Sequence, residues 1–219
     1  MVLKPEHQSF IDDQFAQLSA FDDLRPSDRL NKFPEHSLRV AQSMRSLAQK
    51  MGYDDNMCDV LYAVTMIHDI GKMDLPVEIW DFNERDENGA PLKPPESLKE
   101  HRRQHTKLGV ERVKAAFPES WDKDPVLRLM CDLMLNHHEM IDGSGHFGKT
   151  DAELTREVQM LCICDAMDGW QIPHPHKTPE ELAPSYILNN KMMDGRFNKT
   201  ILQQFKDVIL HQPKPSLSK

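Results

Sequence analysis

No apolar run in this sequence approaches the ~20 residues that a membrane-crossing helix needs. The opening stretch, MVLKPEHQSFIDDQF, lacks the apolar segment of a secretion signal, so export is not expected. Basic residues are not in excess: 27 Lys+Arg stand against 35 Asp+Glu, a formal net charge of −8. A protein that coats nucleic acid needs the opposite balance to neutralise phosphates, so that class is set aside. Paired cysteines are missing too. Cys58, Cys131, Cys162 and Cys164 lie in apolar stretches with no CxxC spacing and read as reduced core residues of a cytoplasmic protein. No stretch alternates at period two for long enough to make a sheet, and no repeat stands out.

What the sequence does have is helical periodicity over 219 residues, 39% of them hydrophobic and 28% charged, enough for one autonomous core. Helices are expected near 6–21, 34–51, 55–70, 96–117, 122–141, 152–172, 178–192 and 198–212. Pro34, Asp54 and Thr178-Pro179 suit helix starts, and Gly52 suits a stop. Val60 to Ile67 and Val158 to Met167 are apolar nearly all round, which places those helices at the centre of a bundle. The expected fold is all-α: a single helical bundle over 34–212, a helical flank over 1–33 and a disordered tail over 213–219. Phe10, Phe15, Leu18 and Phe21 of the flank can pack onto the bundle or form a dimer seam. The connection 71–95, rich in Pro, Asp, Asn and Gly, is long enough to suggest a functional loop.

Eleven histidines carry the chemistry. His68-Asp69-Ile70-Gly71-Lys72 ends the apolar third helix, where an unpaired His and Asp would be costly to bury and a metal ion would remove that cost. His36 opens the second helix, His105 stands in Gln104-His105-Thr106-Lys107-Leu108-Gly109, and His137-His138-Glu139 runs into Asp142-Gly143-Ser144-Gly145. Asp165 and Asp168 lie in the apolar stretch Leu161-Cys162-Ile163-Cys164-Asp165-Ala166-Met167-Asp168. Taken singly, each has a bland explanation, such as a capping Asp beside a hydrogen-bonded His or a solvated helix residue. As a set they sit on different helices, which is how bundles build carboxylate–histidine metal sites.

The ordered set resembles the HD superfamily of metal-dependent phosphohydrolases, most closely its HD-GYP subfamily, from about residue 34 to 195. The carriers are HDIGK with Pro76, His105 with Gly109, the HHExxDGxG stretch from His137 to Gly145, and Asp165 with Asp168. The resemblance implies that His36, His68, Asp69 and Asp165 hold one metal, and Asp69, His105, His137 and His138 a second, with Asp69 bridging. It further implies two or three metal ions, iron or manganese by preference, a bridging hydroxide as nucleophile, and Lys72 beside the reacting phosphate. A mixed N/O ligand set agrees with a transition metal rather than magnesium. The expected activity is a phosphodiesterase acting on cyclic di-GMP or a related nucleotide, with Asp69 and Lys72 catalytic and Lys72, Asp142, Gly145, His174 and Lys177 at the substrate.

The chain departs from the family where substrate is recognised. The GYP triplet becomes Gly145-His146-Phe147, and the RPYR segment becomes His174-Pro175-His176-Lys177, so a bidentate guanidinium is lost. Other readings therefore stay open: a different phosphate ester or nucleotide, a mixed-valent diiron oxygenase, or a non-catalytic nucleotide-binding module. A homodimer or a regulatory partner protein is possible under each. The glutamate that some relatives place four residues before the first histidine ligand is here Lys32, which points to two metals rather than three.

Overall fold

The computed structural model describes residues 1–26, 31–81, 87, 92–173, 177–192 and 194–211. Among them there is no strand, only an isolated bridge between Asp142 and Thr150. The chain runs through α1 (Pro5–Asp22), α2 (Phe33–Lys50) and α3 (Asp55–Thr65), then two 3-10 turns, Ile70–Asp74 and Val77–Asp81. α4 (Glu96–Arg103), α5 (His105–Ala116) and α6 (Pro125–Asn136) follow. A third 3-10 turn, Asp151–Glu153, leads to α7 (Arg156–Gln171), α8 (Pro184–Asn190) and α9 (Lys199–His211). No helix among the described residues is long and apolar enough to cross a membrane.

Local chemistry sets these ends. Pro34 sits in the first turn of α2, and Gly52, at φ 83°, takes the left-handed conformation that stops it. The Asp54 side chain accepts from the Met57 amide at the start of α3 (2.7 Å). The Asp124 side chain accepts from the Val126 and Leu127 amides (2.8 and 3.4 Å) and caps α6. The bundle is centred as the apolar runs suggested. Leu61 and Val64 of α3 and Leu161 and Ile163 of α7 are fully or almost fully buried, and α2 packs against both helices. α1 lies against α2, and its Ile11 belongs to the same core cluster.

The expected segments differ from the helices at four places. α3 stops at Thr65 because the chain tightens there into i→i−3 bonds, His68 N to Thr65 O among them (3.1 Å), which carry His68 and Asp69 off the helix. The 96–117 segment is two helices that bend at Gln104. α6 ends at Asn136, so His137 and His138 follow it directly and the chain from 137 to 150 is a loop. Thr178 begins only a turn, closed by its contacts with the Glu181 carboxylate, and α8 starts at Pro184. The tail 213–219 lies outside the described residues.

Candidate metal centre

Five elements deliver the seven expected ligands to one place. His36 comes from the first turn of α2, His68 and Asp69 from the turn after α3, and His105 from the start of α5. His137 and His138 come from the end of α6, and Asp165 from α7. Asp69 is the centre. Its Oδ2 lies 3.7 Å from His36 Nε2 and 3.5 Å from His68 Nε2. Its Oδ1 lies 3.2 Å from His105 Nε2 and 3.5 Å from His137 Nε2. One carboxylate thus faces two histidine groups, His36 with His68 and His105 with His137 and His138, and each group could hold an ion with it. Asp165 spans both: Oδ1 is 3.1 Å from His36 Nε2, and Oδ2 is 3.5 Å from His138 Nδ1.

The histidines are held in one tautomer by their own backbone. The Nδ1 atoms of His68, His105 and His137 donate to the carbonyls of Thr65, Arg102 and Met134, at 2.8, 2.6 and 2.9 Å. Each Nε2 lone pair therefore points inward. His36 is held by a carboxylate instead, with Nδ1 2.7 Å from Asp168 Oδ2, and Arg39 Nε donates to the other Asp168 oxygen at 2.6 Å. Burial would lower the pKa of His36, but Asp165 and Asp168 outweigh it and raise the value to about 9. Burial drives His138 well below its ordinary range, with His137 adding to the effect, and burial also lowers His105. Burial would raise the Asp69 carboxyl, yet Lys72 and the histidines hold it well below the usual carboxylate range.

The donor set fits a metal. Nε2 of His68 and Oδ1 of Asp69 are buried with no hydrogen-bond partner, a costly arrangement in a protein interior. His105 Nε2 and His137 Nε2 are only 3.2 Å apart. Lone pairs facing lone pairs and a carboxylate are reconciled by a cation, and nitrogen with oxygen suits a borderline divalent ion.

Other expected residues are placed as follows. Lys72 Nζ donates to Asp69 Oδ2 and lies 4.5 Å above the Phe33 ring. The exposed Asp142 carboxylate accepts from the Ser144 amide and hydroxyl (3.0 and 2.6 Å), so it shapes the loop. A Cβ on Gly145 would stand 2.5 Å from Glu139 Cα, so this glycine lets the loop lie flat on the histidine pair's backbone. Lys177 Nζ donates to the Trp170 carbonyl (2.8 Å) and lines a different pocket, with Ile187 and Lys191. His174 lies outside the described residues.

Some residues at the site were not assigned from sequence. Asp168, which in sequence is only a neighbour of Asp165 in the same motif, orients His36. Glu139 is buried, and its carboxylate accepts from the Phe147 and Lys149 amides (2.7 and 2.8 Å), pinning the loop that carries His146. Trp80, Arg102 and His146 line a pocket of about 330 Å³ with Lys72, His105 and His138. The only sequence signal for Arg102 is the basic pair just before His105.

Fold and site together define an α-helical protein with a carboxylate-centred histidine cluster in its core. The HD domain family model matches residues 34–170, and the chain belongs to that family. It is 25% identical over 175 residues to a cyclic di-GMP phosphodiesterase of Thermotoga maritima, covering 78% of this chain and 43% of that protein. It is 26% identical over 173 residues to 3'3'-cGAMP-specific phosphodiesterase 1 of Vibrio cholerae, covering 76% of this chain and 36% of that protein. The chain thus spans less than half the length of these curated relatives. Its fold matches that of an HDG"Y"P protein from Bdellovibrio bacteriovorus with a TM-score of 0.63 at 18% identity, over 94% of this chain and 66% of the other.

Proposed function

We propose that this chain is a metal-dependent phosphodiesterase that hydrolyses cyclic di-GMP or a related cyclic dinucleotide in the cytoplasm. The observation that carries the reading is Asp69, whose two oxygens face separate histidine groups while Oδ1 and His68 Nε2 lack partners. His36, His68, Asp69 and Asp165 would hold one divalent ion and Asp69, His105, His137 and His138 another, with iron or manganese preferred. Bound there, such ions supply Lewis acidity toward a phosphate oxygen and an acidified water at neutral pH.

The protein's own groups do the rest. Thr65, Arg102 and Met134 carbonyls fix three imidazoles so that no reorientation is needed when substrate arrives. Lys72, an ammonium with donors but no lone pair, serves phosphate rather than metal. Gly145 and the Glu139-pinned loop bring the substrate-facing edge close to His138. The relatives' activities on cyclic di-GMP and 3'3'-cGAMP support the substrate class.

The test is to load the protein anaerobically with iron or manganese, measure metal content, and assay cyclic dinucleotides alongside the Asp69→Ala and Lys72→Ala variants. Asp69→Ala should lose both metal and turnover. Lys72→Ala should keep its metal and show a raised KM or a lowered kcat. Full activity in Asp69→Ala, or in chelator-stripped protein, would overturn the proposal.

A further inference from the structure

The pocket beside the histidine cluster has no carboxylate on its wall among the described residues. Its cations, however, are not equivalent. Lys99 and Arg103 also line it, but both pair with exposed acids of their own helix, Lys99 with Glu96 at 3.1 Å and Arg103 with Glu100 at 2.9 Å. Lys72 is held by Asp69. Arg102 is different. Its Nε donates to the Ile79 carbonyl (2.6 Å), and among the described residues no carboxylate forms an ion pair with it. A guanidinium has five N–H donors, so most of its fork remains for an incoming acceptor. A half-buried guanidinium with one hydrogen bond and no ion pair among the described residues is suited to binding phosphate bidentately.

Trp80 completes the wall. Its Nε1 donates to the Lys72 carbonyl (3.3 Å), and its ring stands edge-on to His105 with centroids 5.9 Å apart. Arg102 Cζ lies 6.0 Å and Lys72 Nζ 5.4 Å from its centroid. Both cations thus lie over the indole ring. An aromatic face flanked by cations is the usual arrangement for holding a base and its phosphate. A volume near 330 Å³ is at the small end for ligand pockets.

We infer that Trp80 and Arg102 form an anchoring subsite for the half of the substrate that does not react, Trp80 stacking on its base and Arg102 gripping its phosphate. The inference rests on the dinucleotide phosphodiesterase reading and adds to it the residues that would hold the second nucleotide unit. A simple phosphate ester would leave Arg102 without a partner.

The experiment compares metal-loaded wild type with Arg102→Gln and Arg102→Lys on two kinds of substrate. One is cyclic di-GMP or linear pGpG; the other is bis(p-nitrophenyl) phosphate, which has one phosphate and no base. Binding of pGpG is measured separately by calorimetry, with metal content checked in each variant. For Arg102→Gln, kcat/KM on dinucleotides relative to bis(p-nitrophenyl) phosphate should fall roughly tenfold to hundredfold, the loss expected for one charged hydrogen-bonding contact. The fall should appear mainly in KM, with pGpG binding weakened in parallel, and Arg102→Lys should lie between. An unchanged ratio, or equal loss on both substrates, would overturn the subsite. If wild type hydrolyses neither substrate, the phosphodiesterase reading fails and calorimetry alone decides. Weaker pGpG binding in Arg102→Gln then supports the subsite, whereas no binding by wild type, or equal binding, overturns it.

Discussion

Among single residues, Asp168 and Gly71 show two ways in which a position outside the proposed ligand set can govern the site. Asp168 lies one helical turn from Asp165, holds His36 Nδ1 and is itself held by Arg39. Partners of this kind fix a ligand's tautomer and basicity, and their loss typically weakens metal binding 10- to 100-fold. Asp168→Ala is therefore expected to lower metal affinity by about that factor while the protein stays folded. Competition against a fluorescent chelator would measure it, and an unchanged affinity would show that Asp168 does not act through His36. Gly71 acts through space. A Cβ there would lie 2.0 Å from the His105 carbonyl oxygen and 2.4 Å from the Gly109 amide nitrogen, both backbone atoms that cannot swing aside. Gly71→Ala should cost about 3 kcal/mol in urea denaturation, at the upper end of ordinary overpacking, and displace His105. A loss below about 1 kcal/mol would show that α5 can slide. The residues that cluster here were legible in sequence because buried His and Asp are expensive without a purpose and because their order resembles the HD family's motifs. Arg102 and Trp80 were not, since no spacing rule says that the 3-10 turn Val77–Asp81 packs against α4.

Elements place these residues, and α6 is the one whose far end carries two of the proposed ligands, His137 and His138. Its start is fixed by Asp124, which caps two amides and accepts from Lys4 Nζ, tying α1 to α6. Asp124→Ala should cost about 1 kcal/mol, within the range of roughly 0.5–2 kcal/mol for lost N-caps. Burial would raise this carboxyl's pKa, but Lys4 and the capped amides hold it below its ordinary value. The unfolded chain therefore takes up the proton first as pH falls. The stabilisation is complete above the unfolded value near 4 and is lost as pH drops through the lower folded value. Denaturation at pH 7 and at pH 3 should show the gap between wild type and Asp124→Ala narrowing at the acid end. A gap that stays constant would mean that the carboxylate charge is irrelevant to the cap. Helix identity was legible from periodicity, since the all-round apolar runs do form the central α3 and α7. Helix ends near the site were not. α3 and α6 both stop short because His68 and His137 need i−3 backbone carbonyls and an inward aim, a tertiary demand invisible to periodicity.

For the molecule as a whole, the cluster joins α2, the turn after α3, α5, α6 and α7, so an ion bound there would tie most of the bundle together. Ligands that bind only the folded chain stabilise it by about 2.7 kcal/mol at a hundredfold excess over Kd. For a chain of this length that corresponds to a Tm rise of about 5–10 °C on loading. A Tm unmoved by metal would argue against the site. The same titration bears on stoichiometry. One turn before His36 stands Lys32, the N-cap of α2, whose carbonyl accepts from the His36 amide at 2.9 Å. Its ammonium lies 4.0 Å from Asp22, whose carboxylate is already engaged by Arg25 and the Phe33 amide. Glu35 is largely exposed, with its carboxylate 3.9 Å from Arg39 rather than beside the cluster. The region next to His36 thus offers a positive charge and no unengaged carboxylate among the described residues, which disfavours a further cation. Two ions per chain are expected, from elemental analysis in solution and from anomalous diffraction on loaded crystals. A third well-occupied position beside His36 would mean that a ligand other than Lys32, Asp22 or Glu35 reaches the site.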